Sequence, residues 1–469
     1  MYTEIQKDVR LDAFAEKEYL IYGISVNEDR AIPSGIDGLK PVARRLLWAT
    51  YEMKLTSVKK CARIIGDTIG KYHPHGDSAA YEALVNMANS PTPTFFGVGN
   101  FGNFADPAFA AQRYTNAKLS KYSEKVFFDP FYLNTIEYVP NFDGEESEPC
   151  LLPALLPNIL LNGTSGIGVG ASTEIPAFSM PSVISLLKEV FNGAEITPKL
   201  CASKLKFVTK YGADYDAKSQ KEQILSIMKT GKGRIVFKPV YKLDEKKGTI
   251  TVLGFPQNCM EKALEKVVGM KELKSARDAS SPEEKSGKLF IEVKPALKAN
   301  FEEVVNKVQT ALSSATSFSI LITDRKVVKD TVEVKLRRTT VVEILKDWYE
   351  YRLEIEKKAC QYWLKNTEDR IHYHEILRLA VANLDTVVKA LKEKHPSLKD
   401  LNKRISSLLK ITEEEAAIIT DLKVYRLSSM EDAKLVQTIK DLQEKKKTLT
   451  GRYKKPAAYV LSTLDSLAK

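Results

Sequence analysis

The chain has 469 residues, enough for two to four domains at roughly 100–200 residues each. Hydrophobic residues make up 43% and charged residues 28%, a balance that excludes a disordered or low-complexity chain. Lysine and arginine outnumber aspartate and glutamate by 71 to 60, a surplus that favours a polyanionic partner without identifying one. The five cysteines, Cys61, Cys150, Cys201, Cys259 and Cys360, are widely spaced and never form a CxxC pair, so reduced thiols and no zinc site are expected. The N-terminus carries no signal-peptide core, and no apolar run reaches the ~18 residues of a membrane helix. A cytoplasmic protein is expected, in the host cytoplasm if the chain is viral.

Residues 12–27, DAFAEKEYLIYGISVN, read as an amphipathic helix or helix-to-strand arm that Pro33 ends. Lys40 to Met53 is a helix with Pro41 early in its first turn and Lys40 and Arg44 on one basic side. That side suits a phosphate grip or merely a solvated face. Two more helices are predicted over Lys59–Lys71 and Asp77–Asn89, the second capped by Asp77 or Ser78. Between them lies Tyr72-His73-Pro74-His75-Gly76, giving a helix-turn-helix pattern. His73 and His75 lack the further ligands a metal needs, since Asp77 stands alone beside them, and imidazoles reaching for phosphate oxygens fit better.

Residues 90–105 are loop-rich, with Gly97, Gly99 and Gly102 among Phe95, Phe96, Phe101 and Phe104. Residues 107–128 read as helical, with Arg113-Tyr114 near the start. Phenol has an ordinary pKa of about 10, so a nucleophilic tyrosine needs a base or a neighbouring cation. The second glycine cluster, Gly166-Ile-Gly168-Val-Gly170, approaches a dinucleotide fingerprint but meets Thr173-Glu174-Ile175-Pro176 where a helix should open, so a tight structural loop is expected. Residues 182–330 read as mixed α/β, with a hairpin from GRIVFKPVYKL and GTITVLGF, strand–helix–strand over 288–323 and a loop at 278–287. From Thr339 to Lys394 apolar residues step by three and four, and Leu435, Ile439, Leu442 and Leu449 mark a return helix. About 50 helical residues reach on the order of 75 Å, so an antiparallel coiled-coil stalk with a small helical head at 395–429 is expected.

The segments EYLIYGISVNEDRAIPSGIDGLKPVARR, ARIIGDTIGKYHPHGDSAAYEALVNMA, GVGNFG, RYT, LPNILLNGTSGIGVGAST and ITEEEAAIITDLKVYRLSS fall in one order from residue 19 to about 430. Together they resemble the breakage-reunion subunit of type IIA DNA topoisomerases, the gyrase A and topoisomerase IV type. The layout is closest to the short medium subunit of the T-even bacteriophage enzymes.

The resemblance implies a multidomain α+β protein. It would have an N-terminal arm over 1–30, a winged-helix (helix-turn-helix) cleavage domain over 31–150, a mixed α/β tower over 151–335, and a coiled-coil stalk with a dimerisation head over 336–469. Tyr114 would be the nucleophile forming a 5′-phosphotyrosyl bond, with Arg113, Arg30 and His75 assisting. His73, Lys40, Arg44 and Arg45 would contact DNA, and Ile175 would be the wedge that intercalates and bends it. Ser78 and Glu82 fall where quinolone-type inhibitors contact bacterial relatives. Mg2+ and ATP are implied on a separate partner chain, in an A2B2-type assembly with double-stranded DNA as substrate. Relative to the family, Ala43 and Val98 replace residues that are usually polar, and residues 103–107 depart from the usual loop. The alternative from the residues alone is a non-catalytic, dimeric DNA-architectural protein with a helix-turn-helix and a coiled coil.

Overall fold

The structure, a computed structural model, describes residues 11–281, 287–421 and 432–467. The first ten residues of the expected arm, residues 282–286 of the expected loop and LKVYRLSSM of the head motif lie outside the described residues. The protein is mixed α/β and divides into two compact units, Met1–Arg352 with Val460–Lys469, and Leu353–Tyr459.

In the first unit the helix Leu11–Val26 runs into a π-turn, Asn27–Ala31, closed by Ile32 N–H donating to Asn27 O at 3.2 Å. The large apolar side chains of that helix, Phe14, Tyr19, Leu20, Ile21 and Tyr22 among them, are exposed. Helices Pro41–Glu52, Cys61–Lys71 and Asp77–Ala88 follow as the pattern predicts, and Leu46, Leu47, Ile64, Ile65, Ala80 and Leu84 make their shared core. Beside them lies an antiparallel sheet in the order Lys59–Lys60, Asn116–Leu119, Phe95–Val98.

The predicted helix over 107–128 is not formed. Residues 112–114 are a turn, Asn116–Leu119 is a strand, and only Lys121–Val126 is helical. Asn116–Leu119 instead pairs on both sides, which satisfies more backbone groups than an isolated helix at the surface could. The glycine-rich stretch before it is anchored by Phe104, fully buried and stacked on Phe255 with centroids 4.2 Å apart.

The expected hairpin is shifted. Val240–Asp244 pairs with Thr249–Gly254, whereas Lys232–Lys238 joins a different sheet beside Ser314–Ser319. Pro239, which has no N–H to give a ladder, separates the two strands. A four-stranded sheet, Val240–Asp244, Thr249–Gly254, Leu289–Val293 and Leu273–Asp278, carries helices Met260–Val267 and Phe301–Leu312 over a core of Ile250, Val252, Ile291, Val304 and Val308. A long hairpin, Leu321–Val328 with Thr331–Arg338, extends past the expected strand–helix–strand stretch, and Val332, Val334 and Leu336 alternate along its second strand.

The long helix spans Val341–Ala382, and Asn383 separates it from Leu384–Lys392. In the second unit it lies antiparallel to Asp432–Lys454. Glu356 meets Arg452 at 2.8 Å, Glu368 meets Lys446 at 2.9 Å, and Ile371 packs with Ile439 and Leu442. Tyr362, expected in the seam, is half exposed, whereas Leu435, Ile439, Leu442 and Leu449 are buried as expected. Helices Leu398–Leu409 and Glu413–Thr420 pack on Ile376, Ala380 and Val387, the second opened by a capping box of Thr412 and Glu415.

Candidate functional site

Tyr114 stands on a short turn whose backbone is held on every side. The first N–H groups of a helix have no partner inside it. Here the helix Cys61–Lys71 finds them in the turn: Cys61 N–H donates to Thr115 O at 3.0 Å and Ala62 N–H to Gln112 O at 3.2 Å. From the helix Asp77–Ala88, the buried Tyr81 hydroxyl donates to Ala110 O at 2.7 Å and lies 2.7 Å from Thr115 Oγ1. Gln112 Nε2 donates to Asp77 Oδ2 at 2.6 Å. Asp77 therefore serves the turn and does not cap its own helix, whose N-cap is Gly76 with no side-chain bond. With Thr115 fully buried and Tyr114 itself 62% exposed, the turn pushes one phenol into solvent from a rigid base. The Arg113 guanidinium lies 4.7 Å from the centre of that ring.

Tyr81 and Gln112 were not singled out in the sequence. Tyr81 adjoins the inward Ala80, and a buried phenol needs a hydrogen-bond partner, which was the available signal.

A second cluster lines a groove that contains Arg30, Lys40, His73, His75, Glu82 and Ile175. Arg113 and Tyr114 are not among its lining residues. Within the chain Arg30, His73 and His75 line one groove, and Arg113 lies against Tyr114.

The cations expected to grip DNA are for the most part engaged internally. Arg44 is a correction: its side chain is 4% exposed, and it donates Nε to Asp37 Oδ2 at 2.7 Å and Nη2 to Asp37 Oδ1 at 2.9 Å. Burial opposes its charge, and the Asp37 carboxylate more than restores it. It is a core ion pair, out of reach of a phosphate.

Arg45 forms a fork on Glu148 at 2.6 and 2.8 Å and places Nη1 3.3 Å from His73 Nδ1. Because arginine only donates, Nδ1 of His73 accepts and the ring proton sits on Nε2. Burial, then the charges of Arg45, His75 and Arg30, push the His73 pKa down to about 4, so this ring is neutral at pH 7. Lys40 Nζ donates to Ser165 O at 2.7 Å, and burial pulls its pKa down against the opposing charge of Glu174. Among the described residues, the Arg30 and His75 side chains make no hydrogen bond or ion pair, and both are exposed.

Ile175, expected as the wedge, is 3% exposed at the end of the strand Ser172–Ile175 and lines the groove. Ile167, on the paired strand Thr164–Ile167, is 87% exposed.

The glycine cluster Gly166-Ile-Gly168 proves to be this hairpin, and it serves a close approach. A Cβ at Gly166 would strike Ala31 O, and one at Gly168 would strike Asn27 Oδ1. Their absence lets the hairpin lie on the π-turn that carries Arg30. Asn27 locks the contact with its amide, Nδ2 to Val169 O at 2.9 Å and Oδ1 from Val169 N–H at 3.0 Å.

Ser78 and Glu82 are exposed one turn apart on the helix Asp77–Ala88. Among the described residues no group of three His, Cys, Asp or Glu side chains could hold a metal ion, and no helix is long and apolar enough to cross a membrane.

Residues 30–466 match the family of the DNA gyrase/topoisomerase IV A subunit. The A subunit of DNA topoisomerase 4 from Escherichia coli (strain K12) is 32% identical over 471 residues, covering 96% of this chain and 60% of that protein. The A subunit of DNA gyrase from Helicobacter pylori (strain J99) is 33% identical over 458 residues, covering 95% and 54%. The A subunit of the chloroplastic/mitochondrial DNA gyrase of Nicotiana benthamiana is 32% identical over 467 residues, covering 94% and 47%. The chain therefore spans about half to three-fifths of the length of these relatives. A match that runs through nearly all of the chain, over a fold that sets an exposed tyrosine beside an arginine on a pinned turn, makes this protein a member of the DNA gyrase/topoisomerase IV A-subunit family.

Proposed function

We propose that this chain is the DNA-cleavage and religation subunit of an ATP-dependent type IIA DNA topoisomerase. The observation that carries the reading is the Arg113-Tyr114 turn, an exposed phenol beside a fixed cation on a base pinned by two helices. The Tyr114 oxygen attacks a backbone phosphorus in line, the deoxyribose 3′-oxygen leaves with a proton, and the 5′-phosphate becomes esterified to the tyrosine. Resealing is the reverse: the 3′-hydroxyl attacks the phosphotyrosyl bond and returns the phenol. One phosphodiester replaces another at each step, so rejoining needs no outside energy.

Arg113 and Arg30 supply positive charge, and His75 a hydrogen bond, to the phosphate as it reacts. Their side chains are free to do so, whereas Lys40 and His73 line the groove with their polar atoms held by internal bonds, and Arg44 and Arg45 are paired with Asp37 and Glu148. Ser78 and Glu82 are assigned to inhibitor contact on the same wall.

The helices Cys61–Lys71 and Asp77–Ala88 with the adjoining three-stranded sheet support a winged-helix domain within 31–150, followed by a tower over 151–335. The antiparallel pair Val341–Ala382 and Asp432–Lys454, with the small helices at its head, supports a coiled-coil stalk through which two protomers form a homodimer. Mg2+ would supply charge neutralisation at the phosphate and ATP would supply the energy for passage of the second duplex. We assign both groups to a separate partner chain in an A2B2-type assembly in the cytoplasm.

The test is to incubate the chain and its partner with magnesium and labelled plasmid, denature, and digest with protease. A DNA–peptide adduct with wild type, none with Tyr114→Phe, and a nucleotide on Tyr114 by mass spectrometry are expected. An adduct that persists in Tyr114→Phe, or none with wild type, overturns the reading. The second result would favour an architectural DNA-binding role.

A further inference from the structure

The turn that carries Arg30 is held from one side by the glycine hairpin. From the other it is held by a residue 297 positions away in the chain. We propose that Arg325, on the strand Leu321–Val328, is a positioning residue for DNA cleavage: its guanidinium grips the Glu28 carbonyl and fixes the π-turn Asn27–Ala31 in the form that presents Arg30 to the groove. The inference rests on the proposed role of Arg30 at the reacting phosphate.

The base of the Arg325 hairpin is locked to the chain that leaves the turn. Thr323 N–H donates to Pro33 O at 2.8 Å and Gly35 N–H to Thr323 O at 3.0 Å. Leu321 packs with Ala31 and Ile32, and Thr173 Oγ1 donates to Leu321 O at 2.8 Å, joining this hairpin to the glycine hairpin. Two residues beyond Thr323 on the same strand, Arg325 points at the turn. Its Nη2 donates to Glu28 O and lies 4.0 Å from Asp29 Oδ1.

A buried arginine in this setting is costly. Its side chain is 8% exposed, its Nε atom has no partner, and its nearest carboxylate is at the limit of ion-pair distance. Burial, with the Arg44 charge next, pulls its pKa down to about 10. A methionine of similar bulk would avoid that penalty. What the arginine supplies is a donor to a carbonyl that the widened turn leaves without a helical partner. A turn free to relax toward ordinary helix would re-aim Arg30, two residues after Glu28.

The experiment is a double-mutant cycle in the assembled complex, with Arg30→Ala, Arg325→Met and the double variant compared for the rate of adduct formation at saturating plasmid. Arg325→Met is expected to slow adduct formation about tenfold in the wild-type background and to have no further effect in the Arg30→Ala background, with DNA affinity and melting temperature unchanged. Slowing by the same factor in both backgrounds shows that Arg325 does not act through Arg30, and overturns the proposal. No slowing by Arg325→Met while Arg30→Ala is slow overturns it too, and leaves the functional reading standing. No effect of Arg30→Ala, with Tyr114→Phe inactive, removes the role of Arg30 and the proposal with it. If Arg325→Met fails to fold, Arg325→Gln enters the same cycle.

Discussion

Arg44 separates a structural cation from a DNA-gripping one, and the structure supplies the magnitude. Asp37 is fully buried and accepts two bonds from Arg44, one from Leu39 N–H at 3.0 Å and one from Leu152 N–H at 3.2 Å. Arg44→Met keeps the apolar stem and removes the guanidinium, leaving a buried carboxylate with two amide donors, no hydrogen-bonded cation and only the more distant charge of Arg325. Removal of one partner from a buried pair costs about 3–5 kcal/mol. Against a domain stability of roughly 5–15 kcal/mol, that is a large fraction. The assay is urea unfolding followed by tryptophan fluorescence, since Trp48 is buried on the same helix as Arg44. DNA affinity is measured in parallel as a function of salt. The unfolding midpoint is expected to fall by an amount equivalent to a few kcal/mol, with the slope of log affinity against log salt unchanged in the folded fraction. A phosphate-contacting arginine would behave the other way, with stability within about 0.5 kcal/mol of wild type and a salt slope smaller by about one. That second pattern would refute the assignment of Arg44 to the core.

Two further outcomes follow from the site. Tyr81→Phe removes the hydroxyl shared by Ala110 and Thr115, and an unsatisfied buried group costs about 1–3 kcal/mol. Amide hydrogen exchange across residues 110–115 and the rate of adduct formation should rise and fall respectively, with DNA affinity unchanged; unaltered exchange would show that the hydroxyl does not hold the turn. His73 in the folded protein has a pKa near 4, below the unfolded value of about 6.5. Its contribution to stability is therefore complete above pH 6.5 and is lost as pH falls from 6.5 toward 4, at up to about 1.4 kcal/mol per pH unit. Unfolding midpoints measured between pH 7 and 5 should decline more steeply for wild type than for His73→Asn, and parallel curves would refute the neutral buried imidazole.

Local signals were enough for most of the helices, though not for residues 107–128. Apolar spacing in Pro41–Glu52, Cys61–Lys71 and Asp77–Ala88 survives into the structure because each helix buries the face its sequence marks. The same holds for the buried Leu435, Ile439, Leu442 and Leu449 of the return helix. Arg113-Tyr114 was picked out by motif order, since adjacent arginine and tyrosine recur at Tyr351-Arg352 and Arg452-Tyr453; its role as the reacting pair is the proposal made above.

The environment of each charge was not legible. Lys40, Arg44 and Arg45 look alike in the sequence, yet their partners, Ser165, Asp37 and Glu148, come from two strands and a turn as far as 125 residues along the chain. The strand Asn116–Leu119 reads as helix in the sequence because its stability comes from two neighbouring strands and not from its own residues. Arg325 reaches the turn of Arg30 across 297 residues, and nothing in either segment announces the other. Apolar periodicity determined most of the helical segments, and motif order picked the tyrosine that the proposed function makes reactive. Only the tertiary structure decided which cations remain free for a phosphate and which serve the core, because a charge is neutralised by whatever the fold brings within about 4 Å of it, and that distance is set by long-range packing.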